Sequence, residues 1–405
     1  MIISMKIALI TFVTPFKENV KGASALPYHL LIHRQQGHEK IDVEIFSFNT
    51  NRLSKEQISQ SEKELNVNIR ILKERKWMKW MFLSRLHPIV RIFMSRPFSS
   101  YVRLKQKEFD KIQACNPDGI WIYGEEYAPL LKQFPNYRRI LLGPDSEGLY
   151  YYRLLGQRFI FKDTRNLFRK FLMYPKYLKI EQEFPTDDSI TYCVVGKADA
   201  NFLQKVNPYI QARFLRHPHY NVNQVKEIKF HTPIRLLIAG QNNFYMQQGV
   251  EEWVPDMLSH CSALKAHYAI TFLGRGWEET VQQLSNGGYN VAHIPFAANY
   301  TEEVQKHDIQ LTPIIIGTGT KGKVLDALSN GLLVIGTEYA LENISVENGI
   351  SCFQYKHSKE IIELLKSILE NPLHYEKIAK EGRKNVLKHH SRRLISKEFF
   401  QLFNL

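Results

Sequence analysis

Short apolar runs, each bounded by turn residues and followed by a helical stretch, recur along the chain in two sets. The first set lies at 6–12, 42–48, 67–72, 118–123, 139–142 and 189–195, and the second at 235–239, 269–273, 290–294, 309–316 and 332–336. Short continuous apolar runs are typical of strands that are buried on both faces of a parallel sheet. Because the strands alternate with helices, the sequence predicts two Rossmann-like doubly wound α/β domains.

The domain boundaries follow from the gap between the two sets of runs. The polar segment there lacks clear periodicity, so we predict a first domain over 1–222 and a linker over 223–232. The second domain is then expected over 233–388, with a terminal helical segment over 389–405. A chain of 405 residues is long enough for two hydrophobic cores.

The net charge of +14 is concentrated in two segments of the first domain. The segment 70–111 carries twelve Lys/Arg and three Asp/Glu, a net charge of +9, and 149–180 carries eight Lys/Arg and one acid, a net charge of +7. A local basic surface indicates an anionic partner. Interleaved aromatic residues suit a membrane interface as well as nucleic acid. We favour peripheral contact with an anionic membrane surface, with a solvated helical face as the alternative, and expect no nucleic-acid binding because no recognised module is present.

The cysteine spacing and the N-terminal sequence indicate the cellular compartment of the protein. The four cysteines are far apart, and no C-x-x-C pattern occurs, so neither a metal site nor a redox motif is expected. Reduced thiols are typical of a cytoplasmic protein. We also expect neither a signal peptide nor a membrane-spanning helix, because no apolar run is long enough.

The segment 317–342 contains the most informative pattern. A buried strand runs into GTGTKGK, and a helix follows. Glycines let a backbone approach a ligand closely, and the N–H groups at a helix N-terminus favour anions. We expect Lys321 and Lys323 in the first helical turn, where cations are unfavourable unless an anion is bound. Asp326, one turn further on, is placed either to accept ribose hydroxyls or to pair with Lys323. A bound diphosphate would resolve the conflict between the two lysine charges and the helix dipole.

Two other interpretations of this loop stay open. The first is an ordinary glycine turn with solvated lysines. The second is a dinucleotide site of an NAD-dependent oxidoreductase, since Gly317, Gly319 and Gly322 match G-x-G-x-x-G and Glu338 ends the next strand. That fingerprint normally opens the first βαβ unit, whereas this loop follows the fourth predicted strand of its domain.

The run GTGTKGKVLDALSNGLLVIGTEYALENI resembles the C-terminal signature of the GT-B glycosyltransferases, in particular family 4, or group 1. FLGRGWEETVQQL and HIPFAANYTEEVQKHDIQLTP are similar to segments that precede that signature. The resemblance covers about 190–345 well and the first 150 residues only as architecture. It implies two Rossmann-like domains facing across a cleft, with the acceptor on the first domain, the donor on the second, and a last helix that returns to the first domain.

The resemblance also implies a set of donor-binding residues. These are Gly240, Gly274, Arg275, Thr318, Gly319, Lys321, Lys323, Asp326 and Glu342. Thr318 stands where the family has an acid, and Asp326 is shorter than the family's glutamate. The family's Arg and Lys after the first strand of this domain are missing, and Arg275, Lys321 and Lys323 are the candidate substitutes.

Candidates on the acceptor side come from loops after strands of the first domain, because ligands bind at the carboxyl ends of parallel strands. Asp145 and Glu125 are candidate general bases, with ordinary loop carboxylates as the alternative. Gly22 and His217 are further candidates. The sequence thus predicts a glycosyltransferase that needs no metal or other cofactor and moves a sugar from a nucleotide-diphosphate donor to a saccharide or lipid-linked acceptor, in cell-surface polysaccharide synthesis. A sugar-nucleotide epimerase of the same fold is the alternative.

Overall fold

The chain divides into two compact units. The computed structural model describes residues 4–17, 25–35, 40–73, 75–77, 80, 87–156, 164–219, 227–260 and 262–404. The first unit comprises Met1–Pro218 with Arg392–Leu405, and the second comprises His219–Ser391. The sequence placed the first boundary four residues later, and part of the expected linker, 223–226, lies outside the described residues.

The first unit contains a seven-stranded parallel sheet in the order β3-β2-β1-β4-β5-β6-β7. Its strands are β1 (Ser4–Thr11), β2 (Lys40–Ser47), β3 (Asn68–Ile71), β4 (Gly119–Tyr123), β5 (Arg138–Gly143), β6 (Ile190–Val194) and β7 (Ala212–Phe214). Strands β4 and β6 are buried at every position, as their continuous apolar sequences predict. The edge strand β7 was not predicted, because three partly exposed residues carry no apolar run.

The second unit repeats this plan with a six-stranded parallel sheet in the order β10-β9-β8-β11-β12-β13. Its strands are β8 (Ile234–Ala239), β9 (Tyr268–Leu273), β10 (Asn290–Ile294), β11 (Ile309–Thr312), β12 (Leu333–Gly336) and β13 (Phe353–Gln354). In both sheets the strand order reverses once, between β1 and β4 and between β8 and β11. Two doubly wound sheets of this order confirm the predicted fold class of two Rossmann-like domains.

Strand β11 is shorter than its apolar run suggests. The sequence predicted a strand over 309–316, but the ladder ends at Thr312. Pro313 has no N–H to donate to a neighbouring strand, so pairing stops there. The chain then leaves the sheet, and the N–H of Ile315 donates to the carbonyl of Tyr245 instead (2.9 Å). This early end makes room for a longer loop before the next helix.

Helices cover both faces of each sheet. In the first unit the α-helices are Ala25–Leu31, Lys55–Leu65, His87–Phe93, Gln106–Ala114, Glu147–Leu155, Thr164–Gln182, Lys197–Val206 and Arg392–Gln401, with 3-10 helices Phe98–Tyr101, Glu125–Gln133 and Leu402–Asn404. In the second unit they are Phe244–His260, Glu278–Asn286, Tyr300–Gln305, Gly322–Ser329, Glu338–Leu341, Ser358–Glu370 and Pro372–His389, with the 3-10 helix Ser262–Leu264.

The C-terminal helix Arg392–Gln401 packs into the core of the first unit. Phe399 is fully buried, and its ring lies 4.6 Å from that of Trp121 on β4. Gly119 leaves room for the last aromatic residue, since a Cβ there would lie 2.5 Å from the ring of Phe403. The helix therefore completes the first unit although the whole second unit, His219–Ser391, precedes it in the chain.

Replacing Phe399 by alanine tests this packing. Loss of a buried aromatic side chain leaves a cavity and costs about 3–5 kcal/mol. We expect Phe399→Ala to lower the stability of the first unit by that amount in urea-induced unfolding followed by tryptophan fluorescence. Leu394→Ala on the same helix is the control, because Leu394 is 41% exposed and should cost less than about 1 kcal/mol. Equal effects of the two variants would contradict the packing role.

Candidate active site

A glycine-rich loop stands at the point where the strand order of the second sheet reverses. The loop, 313–321, connects the carboxyl end of β11 to the helix Gly322–Ser329, which we call the glycine-loop helix. Strand β11 pairs with β8 on one side and β12 on the other. In doubly wound sheets the crevice outside the carboxyl ends of the strands at such a reversal is where ligands bind.

Lys321 holds this loop together. Its Nζ donates to the carbonyl of Thr318 (2.7 Å) and lies 3.4 Å from that of Gly319. Gly317 provides the space, because a Cβ there would lie 2.7 Å from Cε of Lys321. The expectation that Lys321 sits in the first helical turn is wrong, since the helix begins at Gly322 and Lys321 is its N-cap residue. The difference arises because its φ and ψ of −84° and 97° are extended rather than helical.

Asn343 braces the same loop from outside. Its Nδ2 donates to the carbonyl of Gly319 (2.7 Å). Gly319 has a φ of 61°, a conformation that glycine adopts without strain. Asn343 itself has a φ of 70°, which asparagine tolerates better than most residues. No sequence pattern predicts this contact, and its only signal is an asparagine just after the short helix Glu338–Leu341.

The glycine-loop helix begins without a side-chain cap. No side chain at its N-cap position accepts a hydrogen bond, so its first backbone N–H groups are suited to an anion. Gln310, fully buried on β11, ties the start of the helix to the sheet. Its Nε2 donates to Oγ1 of Thr312 (3.0 Å) and to the carbonyl of Lys323 (3.3 Å). The helix N-terminus is therefore held rigidly over the end of β11.

Lys323 lies one position into the helix and rests on an aromatic ring. Its Nζ is 4.5 Å from the centroid of Tyr300, within range of a cation–π interaction. The side chain as a whole is exposed. Partial burial of the ammonium group lowers the pKa of Lys323, and the charge of Asp326 opposes that shift. Lys323 is thus a cation at an uncapped helix N-terminus, where the helix dipole favours an anion.

The loops after β8 and β9 present backbone instead of side chains. Gly240 and Gly274 have φ values of 151° and 142°. A Cβ on Gly274 would lie 2.1 Å from the carbonyl oxygen of Gly240, so the two loops are packed backbone against backbone. Trp277 secures them by donating from Nε1 to that oxygen (2.8 Å). Arg275, which follows Gly274, is exposed. Glycine at position 274 is therefore required by the close packing of the two loops.

The structure brings most of the expected donor-binding residues of the second unit to one edge of its sheet. Thr318 is 8% exposed and belongs to the glycine loop. Asp326 is half-buried one turn into the glycine-loop helix, and Glu342 ends the helix Glu338–Leu341 beside Asn343. All of them follow the carboxyl ends of β8, β9, β11 or β12. An uncapped helix N-terminus, two loops that begin with glycine and two carboxylates thus share one edge of the sheet.

Glu125 in the first unit belongs to a buried carboxyl pair. It is 4% exposed and accepts a hydrogen bond from the N–H of Glu147 (2.9 Å). Burial raises the pKa of Glu125 well above its ordinary value, and the nearby Glu181 adds to the shift. Glu181 is fully buried and accepts from Oγ of Ser146 (2.6 Å) and the N–H of Gly148 (3.0 Å). The pair holds the N-terminus of the helix Glu147–Leu155.

Asp145 occupies a different position in the same region. It lies half-buried in the turn between β5 and the helix Glu147–Leu155. Burial raises the pKa of the Tyr123 hydroxyl, and the charge of Asp145 adds to that shift. The next residue, Ser146, donates its N–H to Oδ1 of Asp199 (2.8 Å), which fixes the turn. Of the two candidate bases, Asp145 is therefore the less buried.

The two remaining acceptor-side candidates are less informative. His217 donates from Nδ1 to the carbonyl of Pro218 (2.8 Å). Burial lowers the pKa of His217 to about 4, so its imidazole is neutral at physiological pH. Gly22 lies outside the described residues. Within the part of the chain that is described, no group of three His, Cys, Asp or Glu residues is arranged to hold a metal ion.

The basic segments of the first unit expose large apolar side chains. Trp80 is 65% exposed and Phe93 is 84% exposed, both within 70–111. Buried Phe98 anchors this surface, since the Trp77 ring meets it edge-on at 5.7 Å and the guanidinium of Arg91 lies 5.3 Å from its centroid. No helix in the described ranges combines the length and the apolar character that crossing a bilayer requires.

Comparison with known proteins first defines the class of fold. Solved structures that resemble this chain include sucrose-phosphate synthase from Thermosynechococcus elongatus, at 14% identity and a TM-score of 0.68 over 99% of this chain and 98% of that one. HepE from Anabaena, solved with UDP, matches at 10% identity and a TM-score of 0.63 over 99% and 100%. WaaG, a glycosyltransferase involved in lipopolysaccharide biosynthesis, matches at 11% identity and a TM-score of 0.58 over 98% and 99%.

A family model then adds the activity. Residues 255–400 match the model described as "Glycosyl transferase-like". This match spans the glycine loop and the helix that follows it. No curated protein sequence matches the chain. The fold is that of the GT-B glycosyltransferases, and the family match over 255–400 supports the glycosyltransferase activity that the resemblance to group 1 implied.

The buried carboxyl pair predicts an unusual pH dependence of stability. Because the pKa of Glu125 is raised above 4.5, the folded protein retains a proton that the unfolded chain releases. Stability should therefore fall as the pH rises from about 4.5 through the raised pKa. Glu125→Gln mimics the protonated acid, so we expect its melting temperature to vary less with pH and to exceed that of the wild type by a few degrees at about pH 8.

Glu108→Gln is the contrasting control for this measurement. Glu108 is also buried, at 3% exposure, but it pairs with Lys111 at 2.9 Å. Its replacement should lower the melting temperature at neutral pH, because it removes the partner of a cation. A Glu125→Gln variant that is destabilised at pH 8 as much as Glu108→Gln would contradict a raised pKa of Glu125.

Proposed function

We propose that the protein transfers a sugar from a nucleoside-diphosphate donor, bound at the glycine loop, to a saccharide or lipid-linked acceptor in cell-surface polysaccharide synthesis. The observation that carries the proposal is the uncapped N-terminus of the glycine-loop helix, with Lys323 beside it, where the strand order reverses. A diphosphate matches this arrangement in charge and in hydrogen-bond acceptors.

The proposed reaction breaks the bond between the anomeric carbon and the β-phosphate oxygen of the donor. An acceptor hydroxyl oxygen forms the new bond to that carbon, and the nucleoside diphosphate leaves with the bonding electrons. Negative charge grows on the leaving diphosphate, where backbone N–H groups and Lys323 stabilise it. Hydrogen-bond donors that already point towards the leaving diphosphate stabilise this charge without any rearrangement of the protein.

The two lysines have different parts in this proposal. Lys321 supports the loop, because its ammonium is bonded to loop carbonyls. Lys323 contacts the diphosphate, exchanging the face of Tyr300 for the stronger charge of the phosphate oxygens. Asp326 lies on the same helix and is placed to bind ribose hydroxyls or to orient Lys323.

The acceptor proton needs a base if the anomeric centre is inverted. We assign that role to Asp145, because it is only half-buried and follows the carboxyl end of β5. Glu125 is less suited to this role, since it is buried and its Oε2 accepts a hydrogen bond from the N–H of Glu147. In this proposal Glu125 positions the helix beside Asp145.

The donor class is supported by one group of similar structures. HepE from Anabaena has been solved with UDP, with UDP-glucose, and with UDP and glucose. A uridine-diphosphate sugar is therefore the first donor to test. The competing dinucleotide site is disfavoured by the topology, because the loop follows β11, the fourth strand of its unit. The first strand of that unit, β8, leads into Gly240-Gln241-Asn242-Asn243, which lacks the fingerprint.

Substitution of Lys323 tests the donor site. Losing one charge-assisted contact to phosphate costs about 1.5–3 kcal/mol, so Lys323→Met should weaken binding of the nucleotide sugar roughly 10- to 100-fold. The donor is chosen by a thermal-shift screen of UDP, GDP, CMP and ADP sugars, and affinity is measured by calorimetry. Lys359→Met in the same unit is the control. It removes the same charge, but Lys359 is exposed on a different helix, Ser358–Glu370.

Three further results, from related measurements, would count against the proposal. Unchanged affinity in a variant lacking both Lys321 and Lys323 would remove the diphosphate site. Binding of NAD(H) in preference to all nucleotide sugars would favour an oxidoreductase. Conversion of the donor to its epimer without any acceptor would favour an epimerase of the same fold.

We also propose that the first unit touches an anionic membrane through the basic segments 70–111 and 149–180. Exposed aromatic side chains beside Lys and Arg are the composition that membrane interfaces favour. Trp80 and Phe93 are the most exposed aromatic side chains described in the first of these segments. Such contact would bring a lipid-linked acceptor to the enzyme.

Vesicle co-sedimentation tests the membrane contact. We expect the protein to bind vesicles that contain phosphatidylglycerol at low salt, and Trp80→Ser with Phe93→Ser to reduce the bound fraction severalfold. Burial of aromatic surface drives this part of the binding. Tyr209→Ser is the control, because Tyr209 is 81% exposed but lies outside both segments. Absence of binding by the wild type would refute the contact.

A further inference from the structure

A small cavity in the first unit is lined by three cations. Arg96, Arg103 and Lys132 meet there with one acid, Glu183, and with the apolar side chains of Ile180 and Phe184. Its volume is about 40 Å³. That is roughly three times the volume that one buried water requires, enough for a tetrahedral anion of several oxygens.

Two of the three cations that line this cavity have no acidic partner among the described residues. Glu183 pairs with Arg96. No carboxylate among the described residues pairs with Arg103 or Lys132. Uncompensated like charges at close range repel one another, so the arrangement costs free energy unless an anion joins it.

Arg103 is oriented by its own backbone surroundings. Its Nη1 donates to the carbonyls of Ser100 (3.2 Å) and Val102 (2.7 Å). Carbonyl oxygens fix the guanidinium plane but do not neutralise its charge. Burial lowers the pKa of Arg103, and the charges of Arg96 and Arg75 lower it further. The guanidinium is therefore fixed in place with its charge unpaired.

Arg96 adds an unsatisfied donor. Its Nε is buried and has no hydrogen-bond partner within the described ranges. A buried donor of this kind costs free energy until an acceptor reaches it. Arginine donors in a fixed plane match the oxygens of phosphate better than those of most anions.

The cavity is separate from the edge of the sheet that carries the chemistry. Lys132 and Glu183 each precede a strand, β5 and β6, by a few residues, so they lie towards the amino ends of the strands. Asp145 follows the carboxyl end of β5. The cavity is instead close to the exposed apolar helix His87–Phe93. Lys176, one helical turn before the cavity residue Ile180, donates to the carbonyls of Arg91 (2.6 Å) and Ile92 (3.0 Å) of that helix.

We propose that this cavity binds a phosphate group as a second anion site, distinct from the donor site. The phosphate belongs either to a membrane phospholipid headgroup or to a free phosphate. Arg96 and Arg103 donate to its oxygens, and Lys132 supplies charge at the exposed side. Occupancy relieves the repulsion between the cations and satisfies Nε of Arg96.

The full-length protein is tested in two arms, with inorganic phosphate against chloride at matched ionic strength, and with phosphatidylglycerol vesicles against phosphatidylcholine vesicles. The cavity variant is Arg103→Gln with Lys132→Gln. The control is Lys63→Gln with Lys205→Gln, which removes the same charge from exposed positions of the same unit that lie outside both basic segments. We expect the cavity variant to bind roughly tenfold more weakly or worse, and the control to bind like the wild type. Lys132→Gln alone changes only an exposed side chain and should show a smaller loss in the same direction.

Each result decides the proposal. A cavity-dependent response to inorganic phosphate alone identifies free phosphate as the ligand, and a cavity-dependent response to anionic vesicles alone identifies a lipid headgroup. Equal losses in the cavity and control variants would show that general electrostatic attraction is responsible and would overturn the proposal. So would the absence of any response in both arms. Donor affinity measured in parallel keeps this result independent of the glycine loop.

Discussion

The candidate donor site depends on one topological constraint, the reversal of strand order between β8 and β11. Helices that follow neighbouring strands diverge to opposite faces of the sheet there, so the strand ends between them stay open. The early end of β11 at Pro313 then allows a loop long enough to fold back on itself. Lys321 and Asn343 hold the loop through its carbonyls. The result is a helix N-terminus that is exposed to ligand yet fixed in position.

The two units differ in which charged groups they place in unfavourable surroundings. In the first unit, buried carboxyls share hydrogen bonds around the turn after β5, and burial raises the pKa of Glu125. In the second unit, cations stand at a helix N-terminus, which is an arrangement that stability alone does not favour. Strain of this kind is expected where a ligand supplies the missing charge. The cavity lined by Arg96 and Arg103 likewise gathers cations, towards the amino ends of the strands and away from Asp145.

Many features were predictable because they are local. Apolar runs located eleven of the strands, and these runs are continuous in strands that are buried at every position, such as β4 and β6. The glycine loop was recognisable because glycine and lysine occur together at a strand–helix junction. The short strands β7 and β13 escaped prediction, as three and two partly exposed residues carry no pattern. The first-turn placement of Lys321 was wrong because helix boundaries depend on backbone angles that propensity does not specify.

The sequence by itself determined the α/β class, the two sets of strands and the loop that favours an anion, because hydrophobic periodicity and glycine act over a few residues. Only the tertiary structure decided which polar groups meet. Glu125 and Glu181 are 56 positions apart, and Gly319 and Asn343 are 24 apart, so nothing local links them. Tertiary packing buried Glu125 against another acid and left Asp145 half-exposed. It also separated the lysine that supports the loop from the lysine that faces outward.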